Sequence, residues 1–236
     1  MISYRKLIPC IYIAGGKAIK WFNDREVLAD NVVELAKHYS DRGADELLIF
    51  DLSDSDDDHE ASLNLLRQIH NVISIPMVAG GNIKRMEDVQ RILYSGAKRV
   101  ILNFSKPDSA EMMAKAAERF GKEKVAVSLD DFDGLFKHQH LPAPPCHSSP
   151  SPCINSFWLF KHQHLIEDNC SQLIFMHRLD LNSVVAVTDI PCVIVTDTME
   201  ELELFKILKS EGVKGLSGRY ISQPEMNFND FKELCE

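Results

Sequence analysis

"IPMVAGGNIKRMEDVQRILYSGAKRVIL", residues 75–102, is the stretch that decides the fold class of this chain. It contains an apolar run that ends in two glycines, an amphipathic stretch that ends at Gly96, and a second apolar run that begins at Arg99. Continuous apolar runs are typical of strands buried on both faces, and the amphipathic stretch has the spacing of a surface helix. The stretch therefore predicts a βαβ unit of a parallel sheet.

The same unit occurs a second time near the end of the chain. Residues 190–217, "IPCVIVTDTMEELELFKILKSEGVKGLS", match it in the Ile-Pro pair, the strand, the helix and the glycine that ends the helix. We interpret the two copies as the third and seventh βα units, which lie half a barrel apart. A closed barrel with a weak two-fold repeat predicts this relation, and an open sheet does not.

Eight apolar runs predict strands, at residues 7–13, 46–52, 75–79, 99–103, 124–129, 172–176, 192–196 and 214–216. Amphipathic stretches with helical spacing lie between most of them. We expect a (β/α)8 TIM barrel, with an open doubly wound sheet as the alternative. The fifth and sixth βα units contain only short helical stretches, so we expect them to be irregular.

Length and composition limit the class of protein. The 236 residues suit one globular domain, which we assign to residues 1–236. The formal net charge of −9 disfavours a nucleic-acid surface, because such surfaces need clustered Lys and Arg. No apolar run approaches the roughly 20 residues that span a membrane, and the first residues lack a signal-peptide pattern. We expect a cytoplasmic protein whose six cysteines are free thiols.

The segment "LFKHQHL" occurs at residues 135–141 and again, identically, at residues 159–165. The sequence between the copies is rich in Pro and Ser, which predicts an irregular surface loop. We interpret residues 135–165 as a duplicated loop insertion within the barrel, from a local duplication or a sequence artefact. The nearby His and Cys residues could hold zinc, but no CxxC or HExxH pattern is present, so we expect no metal and no cofactor.

Catalytic groups of such a barrel lie where the strands end, at its carboxyl-terminal face. The residues at the predicted strand ends are Tyr12, Lys17, Lys20, Asp51, Gly80, Gly81, Asn82, Asn103, Ser105, Asp130, Asp131, His177, Arg178, Thr196, Asp197, Gly218 and Arg219. Asp130 and Asp51 each close an apolar strand and are candidates for a general base or acid, with a loop cap as the alternative role. The acidic loop after Asp51 lacks a calcium-loop pattern, so we interpret it as solvated, with an Asp or His that caps the next helix.

The turn Gly80-Gly81-Asn82 predicts a phosphate site. Glycines let backbone N–H groups approach an anion, and the following helix directs its positive end to the same place. Asn103 and Ser105 follow the next strand and complete the predicted cradle; a tight turn that only needs glycine is the alternative. The equivalent turn of the second copy, residues 196–198, has acids nearby and no glycine, although Gly218-Arg219 could partly compensate.

Read together, these residues resemble the phosphoribosyl-binding barrels of histidine biosynthesis, most closely the cyclase subunit of imidazole glycerol phosphate synthase. The resemblance is carried by "LIPCIYIAGGKAIK", "ELAKHYSDRGADELLIFDL", the stretch from Ile75 and "AERFGKEKVAVSLD", and it covers residues 5–131. It implies two phosphate sites related by the half-barrel repeat, and aspartates on strands one and five as general acid and base. It also implies ammonia from a glutaminase partner docked at the opposite end of the barrel.

The resemblance assigns roles to some residues of this sequence. Asp130 matches the strand-five aspartate, Lys20 the lysine after strand one, and Asp51 the strand-two aspartate. The residues that match the first phosphate site are Gly80, Gly81, Asn103 and Ser105.

Other positions depart from the family pattern. Tyr12 replaces the strand-one aspartate, His177 stands at the strand-six aspartate, and residues 196–198 replace a Gly-rich turn. A tyrosine hydroxyl has a pKa near 10 and does not act as a carboxylate base at neutral pH unless that pKa is strongly shifted. Losing half of an acid–base pair costs several powers of ten in rate.

We therefore expect a degenerate cyclase-type barrel that binds a phosphorylated ribosyl ligand at one site, with weak or no activity. One alternative is an active lyase that converts PRFAR and ammonia to imidazole glycerol phosphate and AICAR, with Asp130, Lys20 and His177 as catalytic residues. Another is a non-catalytic scaffold, similar to the barrel-like N-terminal region of some bifunctional enzymes of the pathway. The expected partners are the ligand and a glutaminase or another pathway enzyme, with no nucleic acid and no membrane.

Overall fold

A computed structural model of the chain describes residues 5–104, 108–129, 162–176 and 188–235. Its strands are β1 (Lys6–Leu7), β2 (Cys10–Ala14), β3 (Lys17–Trp21), β4 (Asp24–Ala29), β5 (Leu47–Asp51), β6 (Met77–Gly80), β7 (Arg99–Asn103), β8 (Val125–Leu129), β9 (Gln172–Phe175), β10 (Cys192–Thr196) and β11 (Val213–Gly218). Its helices are α1 (Val32–Asp41), α2 (Asp56–Val72), α3 (Met86–Tyr94), α4 (Ser109–Phe120), α5 (162–169), α6 (Glu201–Lys209) and α7 (Phe228–Cys235).

Eight parallel strand positions, here called staves, close into a barrel. β1 and β2 together form the first stave, and β5 to β11 are the second to the eighth. The barrel closes because the first stave pairs on both sides. β1 pairs in parallel with β11, and β2 pairs in parallel with β5. The change of partner falls at Pro9, which has no N–H to donate to a ladder but whose carbonyl accepts from Leu48 N at 3.0 Å. From β5 the parallel ladder continues through β6, β7, β8, β9 and β10 to β11. The predicted TIM-barrel fold is confirmed.

The two copies of the sequence repeat occupy equivalent places in this ring. β6 with α3 forms the third βα unit and β10 with α6 forms the seventh, so they lie four positions apart in the ring of eight. The predicted strands at 99–103 and 192–196 coincide with β7 and β10, and the ends of the other predicted strands differ by at most two residues.

A hairpin that the predicted strands do not include follows the first stave of the barrel. β3 pairs antiparallel with β2 and with β4, so the hairpin extends the first stave beyond the carboxyl-terminal end of the barrel. Gly15 and Gly16 form the turn between β2 and β3 with φ of 56° and 75°, a left-handed conformation that favours glycine.

The core has two layers that follow from the alternation of side chains along each strand. One layer lies between the barrel and the helices and includes Ile11, Ile13, Ile49 and Tyr39. The other fills the inside of the barrel, and its members are Ile8, Cys10, Tyr12, Ile19, Trp21, Leu48, Phe50, Val78, Ile101, Ala126, Ile174, Met176, Val193 and Val195.

Three expectations about local structure have different outcomes. The cap of α2 is Ser55, whose hydroxyl accepts from Asp58 N at 3.1 Å, so the prediction of an Asp or His cap is wrong. Cys10, Cys170 and Cys192 are free, as predicted for them. Of the predicted insertion at 135–165, only residues 162–165 are described, and they lie in α5. In the described part of the chain, no helix is long and apolar enough to cross a membrane.

Candidate functional site

An aromatic plug fills the carboxyl-terminal mouth of the barrel at strands one and two. It consists of Tyr12 on β2, Trp21 and Phe22 on the hairpin, and Phe50 on β5. Tyr12 meets Trp21 edge-on, with 5.4 Å between the ring centroids, and stacks on Phe50 at 5.6 Å. Phe22 lies 6.2 Å from Tyr12 and 5.5 Å from Trp21. The relative exposure of Tyr12, Trp21 and Phe50 is 1%, 4% and 8%.

The plug keeps Tyr12 in its neutral form. Burial raises the pKa of its hydroxyl well above the usual value, and the neighbouring Cys10 thiol raises it further. Burial also raises the pKa of the Cys10 thiol, to about 12. The Tyr12 hydroxyl makes no hydrogen bond of good geometry among the described residues, so nothing there is placed to take its proton. At neutral pH this residue is therefore neither a general base nor a nucleophile.

Lys20 lies on the face of β3 opposite to Ile19 and Trp21, which belong to the inner layer of the core. Lys17 shares the face of Ile19 but begins β3 next to the glycine turn, and 51% of its side chain is exposed. Lys20 Nζ pairs with Glu26 at 2.6 Å across the hairpin, and Lys17 Nζ pairs with Asp30 at 2.6 Å. The catalytic role of Lys20 stays a prediction, and in this conformation it needs a change in the hairpin.

Asp51 lies at the end of the second stave but faces α2, outside the barrel. Its carboxylate accepts from the Ser53 backbone N–H at 3.0 Å, the Ser53 hydroxyl and the Ser62 hydroxyl at 3.0 Å. His59 Nδ1 lies 2.5 Å from the other carboxylate oxygen, and His59 Nε2 is buried without a partner in the described structure. These bonds are those of a residue that fixes the β5–α2 loop.

The turn after β6 presents unpaired backbone amides. Gly81 and Asn82 both have left-handed φ, 97° and 50°, and are half-buried. The N–H groups of Gly81, Asn82 and Ile83 donate to no group among the described residues. Successive amides in such a conformation form a concave site that binds anions. We call residues 80–83 the anion turn.

Glycine at positions 80 and 81 also has a packing role. A Cβ on Gly80 would lie 2.4 Å from the carbonyl oxygen of Ile101, and one on Gly81 would lie 2.1 Å from that of Asp51. The alternative interpretation, a tight turn that needs glycine because neighbouring backbone atoms lie close to it, is therefore supported. It does not conflict with anion binding, because the two roles use different atoms.

A carboxylate of the chain itself, that of Asp88, already binds amides just before the helix that follows the anion turn. Asp88 is buried, and its carboxylate accepts from the N–H groups of Lys84 at 3.0 Å and Arg85 at 3.1 Å. The Lys84 ammonium pairs with Asp56 at 2.8 Å. The amides of Lys84 and Arg85, just before α3, are thus occupied, and the unpaired donors of the turn itself are those of residues 81–83.

The rest of the predicted cradle is described in part. Asn103 ends β7 half-buried, and its carbonyl accepts from the Ser109 hydroxyl at 2.5 Å. Ser105, Asp130, Asp131, His177 and Arg178 lie outside the described residues, so their predicted roles stay predictions.

At the ends of the seventh and eighth staves, the polar groups are bonded to one another and to the hairpin, unlike the unpaired amides of the anion turn. Thr198 N donates to the Thr196 hydroxyl at 3.2 Å, and the Thr198 hydroxyl donates to Glu203 at 3.0 Å. Arg219 N donates to Thr196 O at 2.9 Å, and its guanidinium pairs with Asp24 at 3.1 Å. Arg219, the cation predicted to compensate for the acids of this turn, is therefore already bonded to the hairpin.

The sequence analysis named Tyr12 as a residue of the site, but not Trp21, Phe22 and Phe50. It also did not predict the contact of His59 with Asp51. The alternation of Ile19 and Trp21 in "KAIKW" was a signal for a strand with one buried face. Nothing local indicates that this face covers Tyr12. Among the described residues, no group of three or more His, Cys, Asp or Glu side chains could hold a metal ion.

Comparisons with known proteins identify the family of this barrel. Residues 6–141, more than half of the chain, match the family model described as "Histidine biosynthesis protein". The imidazole glycerol phosphate synthase subunit HisF of Tolumonas auensis is 35% identical over 130 residues, which are 54% of this chain and 50% of that protein. The chain thus spans about half the length of this curated relative in the match. It belongs to the histidine biosynthesis protein family and is similar to its HisF subunits.

Proposed function

We propose that this barrel binds a phosphorylated ribosyl ligand at the anion turn and has weak or no cyclase activity. The proposed domain is one barrel over residues 1–236, with the duplicated insertion inside it. The observation that carries the proposal is the buried, neutral Tyr12 at the position where the family resemblance requires a carboxylate.

The geometry of the mouth supports the loss of chemistry. A general base must reach the proton that it abstracts and must have a pKa near the working pH. Tyr12 meets neither condition, because Trp21, Phe22 and Phe50 cover its ring and burial raises its pKa. Asp130 alone would have to serve as both acid and base.

The anion turn supports the retention of ligand binding. Residues 81–83 are half-buried and their amides are unpaired among the described residues, so a phosphate that accepts from them displaces no bond to another described residue. Backbone amides in this arrangement bind phosphate without a cation.

A second candidate function, a scaffold for other enzymes of the pathway, is favoured by the same plug. A barrel that needs no open mouth can fill it with aromatic side chains, which stabilise the fold by burial. At the other end, Lys6 at 2.6 Å and Arg99 at 3.2 Å both bind Glu46, which is fully buried. We propose this amino-terminal end as the surface for a glutaminase or another pathway enzyme.

Equilibrium dialysis against ribose 5-phosphate separates the two functions. Binding that inorganic phosphate displaces is expected for the first. An absence of binding in a folded sample, shown by a cooperative thermal transition, would leave the scaffold function.

A further inference from the structure

The hairpin that carries Trp21 is fastened on both sides of the barrel mouth. On one side Asp24 pairs with Arg219, at the end of the eighth stave, at 3.1 Å. On the other side the Arg25 guanidinium lies 3.5 Å from Leu52 O and 3.8 Å from Asp54, in the loop after the second stave. The indole is therefore held over the mouth from both edges and does not hang from a free loop.

The aromatic plug and the anion turn lie at the same end of the barrel. β5, which carries Phe50, is hydrogen-bonded to β6, whose end begins the anion turn. Residues 81–83 of the turn are half-buried, whereas Trp21 is 4% exposed. A ligand can therefore reach the amides from outside while the inside of the mouth stays filled.

We propose that Trp21 is a specificity-determining residue: it closes the mouth, so that the anion turn takes the phosphate of a phosphomonoester and the rest of the ligand stays outside the barrel. This inference rests on the proposed phosphate-binding function. It follows that the ribosyl body adds little to affinity, because it remains in water, and that ligand binding leaves the indole buried.

Two further features agree with a ligand that has one phosphate. The cation at the eighth stave, Arg219, is bonded to Asp24 and is not available to a second phosphate. The turn after the seventh stave is followed by Glu200, Glu201 and Glu203, whose carboxylates repel an anion. A ligand that crossed the mouth would meet the plug and then these acids.

The test measures affinities and the accessibility of Trp21 in a Trp158→Phe background, in which Trp21 is the one tryptophan. Inorganic phosphate and ribose 5-phosphate are titrated by calorimetry, and acrylamide quenching of Trp21 is followed at saturation. We expect the two affinities to agree within about threefold and the quenching to stay low, because the body gains no buried contact. In Trp21→Ala we expect ribose 5-phosphate to bind about tenfold tighter and phosphate to bind unchanged, because the body can enter the mouth.

Two variants serve as controls. Val27→Ala, on the same hairpin but 43% exposed, should change neither affinity. Asp24→Asn loosens the hairpin without leaving a cavity, so it replaces Trp21→Ala if that variant does not fold, and it should raise ribose 5-phosphate affinity and Trp21 quenching together.

The outcomes separate this inference from the function on which it rests. Two results in the protein with Trp21 intact overturn the inference alone. One is ribose 5-phosphate binding at least about tenfold tighter than inorganic phosphate, and the other is a rise in acrylamide quenching of Trp21 when ligand binds. Unchanged ribose 5-phosphate affinity in both folded Trp21→Ala and Asp24→Asn also overturns it alone. Absence of phosphate binding in every variant overturns the proposed function and the inference with it.

Discussion

The anion turn and the aromatic plug lie at the same end of one barrel and have opposite character. At the turn, residues 81–83 are half-buried and their backbone amides are unpaired among the described residues. At the plug, Tyr12 is buried against three aromatic side chains and is neutral. In the proposed function, phosphate binding depends on backbone amides and chemistry on the ligand depends on single side chains, so one can be kept without the other.

The plug predicts the largest effect, at the position where the family resemblance implies an aspartate. Tyr12→Asp places a carboxylate among Trp21, Phe22 and Phe50 with no partner, and we expect a loss of about 3–5 kcal/mol in the free energy of unfolding. Urea unfolding measures it. Tyr12→Phe is the matched control and should lose less than about 1 kcal/mol, since its hydroxyl makes no good hydrogen bond. Equal stability of the two variants would show that the mouth is open to water.

The anion turn can be broken at Gly81. In Gly81→Ala a Cβ would lie 2.1 Å from Asp51 O at a φ of 97°, so we expect the loss of phosphate binding and of about 2–4 kcal/mol of stability. Gly218→Ala, with a Cβ 1.9 Å from Thr196 O at a φ of 135°, is the matched control in the other half of the barrel.

Calorimetry with phosphate on both glycine variants, beside urea unfolding, distinguishes binding from strain. Both should lose similar stability, but Gly218→Ala should retain phosphate affinity. If the two lose affinity in parallel, the turn has no special role in binding.

Most of the fold was predictable from the sequence because parallel strands buried on both faces appear as continuous apolar runs. β7 and β10 matched to the residue, and the repeat placed α3 and α6 correctly. The hairpin β3–β4 was missed, since its buried face depends on contacts between strands: Trp21 packs against Tyr12 on β2, and Tyr12 stacks on Phe50 of β5.

The site was less predictable than the fold, because side-chain direction decides it. Asp51 ends a strand as predicted but points to α2, where it bonds Ser62 and His59. Lys20 follows the first stave as predicted but pairs with Glu26. The glycines of the anion turn were readable, since both their conformation and their packing exclude a side chain.

The plug also predicts a pH dependence. The folded pKa of Tyr12 lies well above its unfolded value near 10, so its contribution to stability is complete below pH 10 and is lost as pH rises towards the folded pKa. We expect Tyr12→Phe to lose about 1 kcal/mol less stability than the unmutated protein between pH 9 and pH 11. Thermal unfolding across that range measures it. Tyr94→Phe, 72% exposed, should show no such difference, and a matching gain there would refute the assignment to burial.

The smallest effect is expected at the cap of α3. Asp88→Ala frees the amides of Lys84 and Arg85 and removes a carboxylate beside the anion turn. Phosphate affinity should rise about threefold while stability falls by about 1 kcal/mol, the usual cost of a lost cap. Calorimetry and urea unfolding give the two values. A fall in affinity would mean that Asp88 orders the turn more than it repels the ligand.

The central claim, a barrel with the family's shape and without its full chemistry, is tested most directly by turnover. The purified protein is incubated with PRFAR and a high concentration of ammonium salt, and the loss of PRFAR is followed beside the Asp130→Asn variant. Ammonium removes the need for a glutaminase partner, so the measurement concerns the barrel alone. We predict no difference between the two proteins, at or near the uncatalysed rate. Turnover that Asp130→Asn abolishes would contradict the account and make this chain an active cyclase despite Tyr12.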